Sequence, residues 1–143
     1  MMKNFKIQEL VSPELYDMLG DNTWKLFDKG FLEDVDRFAS DVKRDLGVSG
    51  VIINDWLWGG GYTQSGFREM SSSVGAARSA HKSGKAVDMK FKGCTIKDAY
   101  DYLIKYQDRY PNISRVEDIA YTESWLHVDC KASDYLGIYV FKP

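Results

Sequence analysis

The sequence has few of the residues from which small proteins build cross-links and metal clusters. It holds only two cysteines and two histidines in 143 residues. Cys94 and Cys130 do not make a disulfide framework and lack the short paired spacing of a structural zinc site, so we expect two buried thiols. No apolar run approaches the roughly 20 residues of a membrane span, and the N-terminus lacks the sections of a secretory signal. We therefore expect that the protein is made in the cytoplasm and does not insert into a membrane.

Charge of one sign is also scarce. The formal net charge is -2, from 19 basic and 21 acidic residues. No dense basic run is present, so the sequence predicts neither a nucleic-acid partner nor binding to anionic membranes. Apolar residues make up 44% of the chain and aromatic residues 14%, which is enough to bury a core. The length suits one domain over residues 1–143.

The order of patterns predicts an α+β fold. Ser12 and Pro13 mark a helix start, and a second apolar pattern opens at residues 21–23 and runs at three- and four-residue steps to Gly47, with Gly30 as a point where it divides. Thr95 caps a further helix that ends near Pro111. Strands are expected over residues 51–53, 86–91, 116–121, 124–130 and 137–141, and a polar loop over residues 63–83. Helices followed by strands suggest an antiparallel sheet with helices packed on it.

One segment combines metal-ligand chemistry with a strand entry. It reads Ser-Ala-His-Lys-Ser-Gly-Lys-Ala-Val-Asp over residues 79–88. His81 ends the loop, Gly84 permits a tight turn, and the chain then enters a strand on which Ala86 and Asp88 share a face. An imidazole and a carboxylate are an ordinary pair of zinc ligands, and the small Ala86 leaves room beside them.

The third ligand must come from elsewhere, and the second histidine is the candidate. Strand alternation puts Glu123, Trp125, His127 and Asp129 on one face and apolar residues on the other. A lone histidine in a strand is more often structural, but two motifs together predict a site of His81, Asp88 and His127 with a fourth position for water. Glu123 is the first choice as general base, and Glu117 and Asp118 are the alternatives.

The paired motifs resemble those of a known family. Ser-x-His-x-x-Gly-x-Ala-x-Asp followed by Trp-x-His-x-Asp is similar to the M15 zinc peptidases, a group of D,D-carboxypeptidases and L-alanyl-D-glutamate endopeptidases. The resemblance implies a fold like that of the hedgehog signalling domain and covers nearly the whole chain. The stretches Asn-Phe-Lys-Ile-Gln-Glu-Leu and Gln-Ser-Gly-Phe-Arg also resemble small single-domain members from phages and bacteria.

The resemblance implies roles for individual residues. His81, Asp88 and His127 match the zinc ligands, and Arg68 matches an arginine that binds substrate and stabilises the oxyanion. Gln64 and Ser79 are expected near the substrate, with Ser79 also orienting a ligand. The family pattern is broken at Ser124, where several members carry the catalytic acid, which leaves the general base open. Asp129 is either a competing ligand or a support for one.

Two functions are compatible with these expectations. The first is zinc-dependent hydrolysis of an amide bond in peptidoglycan stem peptides or cross-links, by a monomer that reaches the cell wall through another factor such as a holin. A phage endolysin fits, and so does a bacterial or prophage peptidase. The second is a zinc-containing binding or structural module of the same fold without hydrolysis. A metal-free globular protein is the third and weakest alternative.

Overall fold

The structure, a computed structural model, describes residues 2–69, 72 and 79–143. Within these residues the chain forms an α+β fold. Its helices are α1 (Pro13–Leu19), α2 (Lys29–Leu46) and α3 (Ile96–Lys105). Its strands are β1 (Gly50–Ile52), β2 (Ala86–Lys92), β3 (Arg115–Glu117), β4 (Leu126–Asp129) and β5 (Tyr139–Phe141). The predicted loop over residues 63–83 lies partly outside the described residues.

The helix boundaries follow their capping residues. Ser12 caps α1, as predicted, and accepts a hydrogen bond from the Leu15 amide. The predicted second helix is in fact two pieces, a 3-10 helix over Gly20–Leu26 and then α2. The break does not fall at Gly30, because the Asp28 carboxylate accepts the Phe31 amide at 2.9 Å and starts α2 one residue before that glycine.

The five strands form one sheet in the order β1-β2-β4-β3-β5. The first three pairings are antiparallel, as predicted, but β5 pairs with β3 in parallel, so the sheet is mixed. β5 runs opposite to the preceding β4 but lies beyond β3, and it therefore meets β3 in the same direction. Hydrogen bonds from Tyr139 to Ser114 and from Asp118 to Phe141 hold this edge.

The core lies between the helices and one face of the sheet. Phe38 of α2 is fully buried and meets the ring of Phe91 on β2 at 6.2 Å and that of Tyr110 at 5.5 Å. Val87 on β2 and Val128 on β4 are fully buried in the same core cluster. Side chains alternate along a strand, so the residues next to Val87 and Val128 on these two central strands project from the other face of the sheet, where the candidate site lies. Among the described residues, no helix is long and apolar enough to cross a bilayer.

Candidate metal centre

Two of the predicted ligands stand side by side on the central strands. Asp88 on β2 and His127 on β4 are direct partners in the antiparallel register, and both are buried. Directly opposite residues in such a pair have neighbouring side chains on the same face. The alternation argument from the sequence is therefore confirmed for these two residues.

The third predicted ligand is delivered by a turn. His81 lies in a short 3-10 turn over Ala80–Ser83, which ends at Gly84 with a left-handed φ of 70°. The Ser79 hydroxyl accepts the His81 amide at 3.3 Å and so caps this turn. Gly84 packs so tightly that a Cβ there would lie 1.8 Å from the Leu26 carbonyl oxygen. Glycine is thus required both for the conformation and for the close approach.

The three side chains converge as a metal site requires. His81 Nε2 lies 3.2 Å from His127 Nδ1 and 3.2 Å from Asp88 Oδ1, and the last two atoms are 2.9 Å apart. Tetrahedral zinc with ligands at about 2.0–2.1 Å needs ligand atoms about 3.3 Å apart. The observed triangle is close to that size, so the donor set fits a zinc ion without rearrangement of the strands.

The outer nitrogen of each imidazole has a partner that leaves the inner nitrogen free to bind metal. His81 Nδ1 lies 2.8 Å from the Gly66 carbonyl oxygen, and His127 Nε2 lies 2.9 Å from Asp129 Oδ2. Each of these N–H groups can donate outward and so leaves a lone pair on the nitrogen that faces the centre. Asp129 is held in turn by two hydrogen bonds of 2.9 Å from Arg115. Asp129 therefore supports a ligand rather than competing as one.

The same contacts control the protonation of the site. Burial alone lowers the pKa of His127, but hydrogen bonds to Asp129 and Asp88 outweigh burial and raise it to about 9. Burial likewise opposes the charged form of Asp88, yet hydrogen bonds from His127 and His81 hold its pKa well below the ordinary value. In the protein without metal, these contacts therefore favour the protonated form of His127 together with the ionised form of Asp88.

A cavity of about 440 Å³ opens over the three ligands and has Arg68, Arg115, Glu117, Trp125 and Pro143 in its wall. Glu117 is the acidic residue, among the candidate bases, that the fold places in the wall of this cavity. The β3–β4 register pairs Val116 with Val128, and one further step places Glu117 opposite His127. Burial raises the pKa of Glu117 above its ordinary value.

The other two candidate bases lie elsewhere. Glu123 is exposed in a turn, because β4 begins only at Leu126, so alternation does not carry its side chain to the face of His127. It does not line the cavity. Asp118 also stays outside the cavity wall, and its carboxylate accepts the Ala120 amide at 2.9 Å. Of the three acids weighed from the sequence, the structure brings only Glu117 to the ligands.

Arg68 reaches the site from the segment before the metal motif. Its Nη2 lies 3.3 Å from Asp88 Oδ2, and its Nε donates to the Gln64 carbonyl oxygen at 2.7 Å. The guanidinium is mostly buried, which lowers its pKa, while Asp88 opposes that shift. Gln64 does not line the cavity, and it contributes the carbonyl group that orients Arg68.

A lysine that sequence reasoning missed fastens this segment to the sheet. Lys90 Nζ donates to the Ile53 carbonyl oxygen and to Ser65 Oγ, each at 2.7 Å. Burial lowers its pKa to about 8, and Asp88 and Asp55 partly oppose that shift. Strand alternation was the one signal available in the sequence, since a lysine two residues after Asp88 projects from the same face of β2.

Comparison with known proteins gives no match: no family model, no curated protein and no solved structure is similar to this chain at a significant level.

Proposed function

We propose that this protein is a zinc-dependent peptidase that hydrolyses an amide bond in the stem peptides or cross-links of peptidoglycan. The observation that carries the proposal is the triangle of His81 Nε2, Asp88 Oδ1 and His127 Nδ1, with edges of 2.9–3.2 Å at the floor of a cavity. Three protein ligands and one open position are typical of catalytic zinc sites, whereas structural sites use four.

The donor set favours zinc over the other common metals. Two imidazoles and one carboxylate suit zinc, while calcium and magnesium prefer sites made of oxygen ligands. When bound, zinc supplies a Lewis acid that polarises a carbonyl group and lowers the pKa of water. The hydrogen bonds that the two histidines donate to the Gly66 carbonyl oxygen and to the Asp129 carboxylate fix the imidazole orientations that such a site needs.

Glu117 is proposed as the general base in place of Glu123. It would take a proton from the attacking water as the new C–O bond forms, and return it to the leaving amine as the C–N bond breaks. Its position beside His127 and its raised pKa both suit a group that accepts a proton and then donates it. If Glu117 is the general base, the chain does not need an acid at Ser124, the position where several M15 members carry one.

Arg68 is proposed to bind the substrate. Its guanidinium lines the cavity next to Asp88, and its Nε is fixed by the Gln64 carbonyl group. A fixed, always-charged group can bind a substrate carboxylate and stabilise the negative charge that develops on the carbonyl oxygen. Ser79 also lines the cavity, and its hydroxyl caps the turn that presents His81.

The substrate class rests on the M15-like motifs. They point to peptidoglycan peptides, to action at the bacterial cell wall, and to a release factor such as a holin if the protein is an endolysin. A zinc-containing module without hydrolytic activity is the competing function.

The test is to incubate purified peptidoglycan with zinc-loaded and chelator-treated protein and to identify released muropeptides by mass spectrometry, which also reports the bond cut. We expect release only with the zinc-loaded protein and none with Asp88→Asn, while the matched variant Asp118→Asn stays active. Stoichiometric zinc binding without any released peptide would favour the non-hydrolytic module. Failure to bind zinc at all would contradict both functions.

A further inference from the structure

A second and larger cavity lies at the opposite edge of the sheet from β5. Its volume is about 890 Å³, and it runs along the open edge of β1, between the N-terminal segment and the loop after Trp58. Among the residues that the structure describes, none lines both this cavity and the metal cavity. The two are connected by β2, since Asp88 and Lys92 lie four residues apart on that strand, a span of about 13 Å.

Four lysines surround this cavity, which we call the basic groove. They come from three separate parts of the chain, which is why the sequence shows no basic run, and they are Lys3, Lys6, Lys43 and Lys92. None of their ammonium groups forms a salt bridge within the part of the chain that the structure describes. Lys43 donates to the Asn4 side chain, a neutral acceptor. Such a concentration of unpaired positive charge is notable in a chain with a net charge of -2.

The two acids in the groove wall are occupied by local structure. The Glu9 carboxylate is buried and accepts the Lys6 amide at 2.7 Å. The Asp55 carboxylate accepts the Tyr62 amide at 2.8 Å and lies directly against Gly60. Both carboxylates therefore stabilise the backbone around the groove and compensate its lysines only in part.

An exposed indole completes the groove. Trp58 is 60% exposed at the end of a 3-10 turn, and its amide donates to the Asp55 carbonyl oxygen. Trp56 anchors the same turn through a 2.8 Å hydrogen bond from its Nε1 to the Val11 carbonyl oxygen. The turn is thus fixed, while the Trp58 side chain is exposed in the wall of the cavity that the four lysines also line. An exposed aromatic face next to positive charge suits a ligand that has both apolar ring or polyol surface and anionic groups.

We propose that the basic groove binds a phosphate-bearing wall polymer of the polyol phosphate type. The lysines would contact successive phosphates, and Trp58 would pack against a sugar or polyol unit. This partner rests on the proposed function, because a peptidase that works at the wall meets such polymers next to its substrate. When the polymer holds the protein at the wall, the metal cavity lies close to stem peptides, and their effective concentration at the cavity is raised.

The experiment titrates the full chain with a short poly(glycerol phosphate) oligomer, at low and at physiological salt, by isothermal calorimetry. Binding is expected to weaken as salt rises, and the double variant Lys6→Gln/Lys92→Gln should weaken it by about tenfold or more with a shallower salt dependence. The matched control is Lys25→Gln/Lys29→Gln, which removes the same charge from exposed sites outside the groove and should leave binding unchanged. Trp58→Ala should weaken binding without altering its salt dependence.

Three results would overturn the proposal. They are no binding of the oligomer, equal losses in the groove and control variants, and tighter binding of a charge-matched single-stranded oligonucleotide through the same lysines. The last result would make the groove a nucleic-acid site.

Failure of the groove and failure of the proposed function are distinguishable. Oligomer binding is measured with chelator-treated protein, where no zinc-dependent hydrolysis occurs. Release of peptides from soluble muropeptides should be equal for the wild-type chain and the groove variants, whereas release from intact walls should fall in the groove variants.

Discussion

Zinc binding should displace a proton that the ligand cluster holds at neutral pH. With the pKa of His127 raised to about 9, its imidazole is mostly protonated at pH 7 in the protein without metal. A nitrogen that binds zinc needs its lone pair, so the proton must leave as the ion enters. Because the pKa of His127 is raised, protons compete with zinc at neutral pH. The apparent zinc affinity should therefore increase with pH until about 9.

The size of the effect follows from the distance between pH 7 and that pKa. We expect at least about one proton released per zinc at pH 7, and an apparent affinity that changes about tenfold per pH unit, which places pH 7 roughly a hundredfold below the high-pH limit. Calorimetric titration in buffers of different ionisation enthalpy counts the protons released. A release well below one proton would refute the protonated cluster.

The hydrogen bond between His127 and Asp129 provides a control for this reasoning. In Asp129→Asn the neutral amide no longer favours the imidazolium, so the His127 pKa should fall and fewer protons should be released on zinc binding. The zinc affinity measured above pH 9, where protons no longer compete, should fall about 10- to 100-fold, because the group that orients the ligand is weakened. Unchanged proton release in this variant would place the proton somewhere other than His127.

Four further predictions concern single residues. Glu117→Gln should lower kcat for muropeptide hydrolysis by about 10²- to 10⁴-fold with zinc still bound, whereas the matched Glu123→Gln should stay near wild type; the opposite ranking would return the general base to Glu123. Lys90→Met should lower the free energy of unfolding in urea by about 1–3 kcal/mol, since the Ser65 hydroxyl and the Ile53 carbonyl group lose a buried partner; an unchanged denaturation midpoint would contradict this. Gly84→Ala should lower both the melting temperature and the zinc affinity, because its Cβ would clash with Leu26 at a φ of 70°; retained zinc affinity would show that the turn tolerates the change. Cys130, with a pKa raised to about 12 by burial, should react with iodoacetamide at pH 8 far more slowly in the native protein than in the unfolded one, and equal rates would argue against that pKa.

The positions of the candidate metal ligands were predictable because local rules decide them. Alternation on a strand places Ala86 and Asp88 on one face, and the same rule places His127 opposite an apolar set that enters the core. Gly84 was predictable for a similar reason, because a histidine turn that leads into a strand needs a left-handed residue. These features depend only on neighbours within a few positions along the chain.

The sequence predictions were wrong for residues whose positions depend on contacts between distant parts of the chain. Glu123 was assigned to the site by extending β4 backwards, but the strand begins at Leu126 and the preceding residues turn away. Glu117 reaches the site through the pairing of β3 with β4, which no local pattern announces. The parallel placement of β5 has the same origin, because β5 passes its sequence neighbour to pair with β3. The supports from Gly66 and Arg115 also join residues 14 or 15 positions apart.

The position of Pro143 in the wall of the metal cavity has a practical consequence for handling the protein. Any residues fused after Pro143 begin at the rim of the candidate metal site. An oligohistidine tail attached there would offer surplus imidazoles to the open coordination position, and it could imitate inhibition or inflate the measured metal content. Metal content and activity are therefore best measured on protein from which any such tail has been removed.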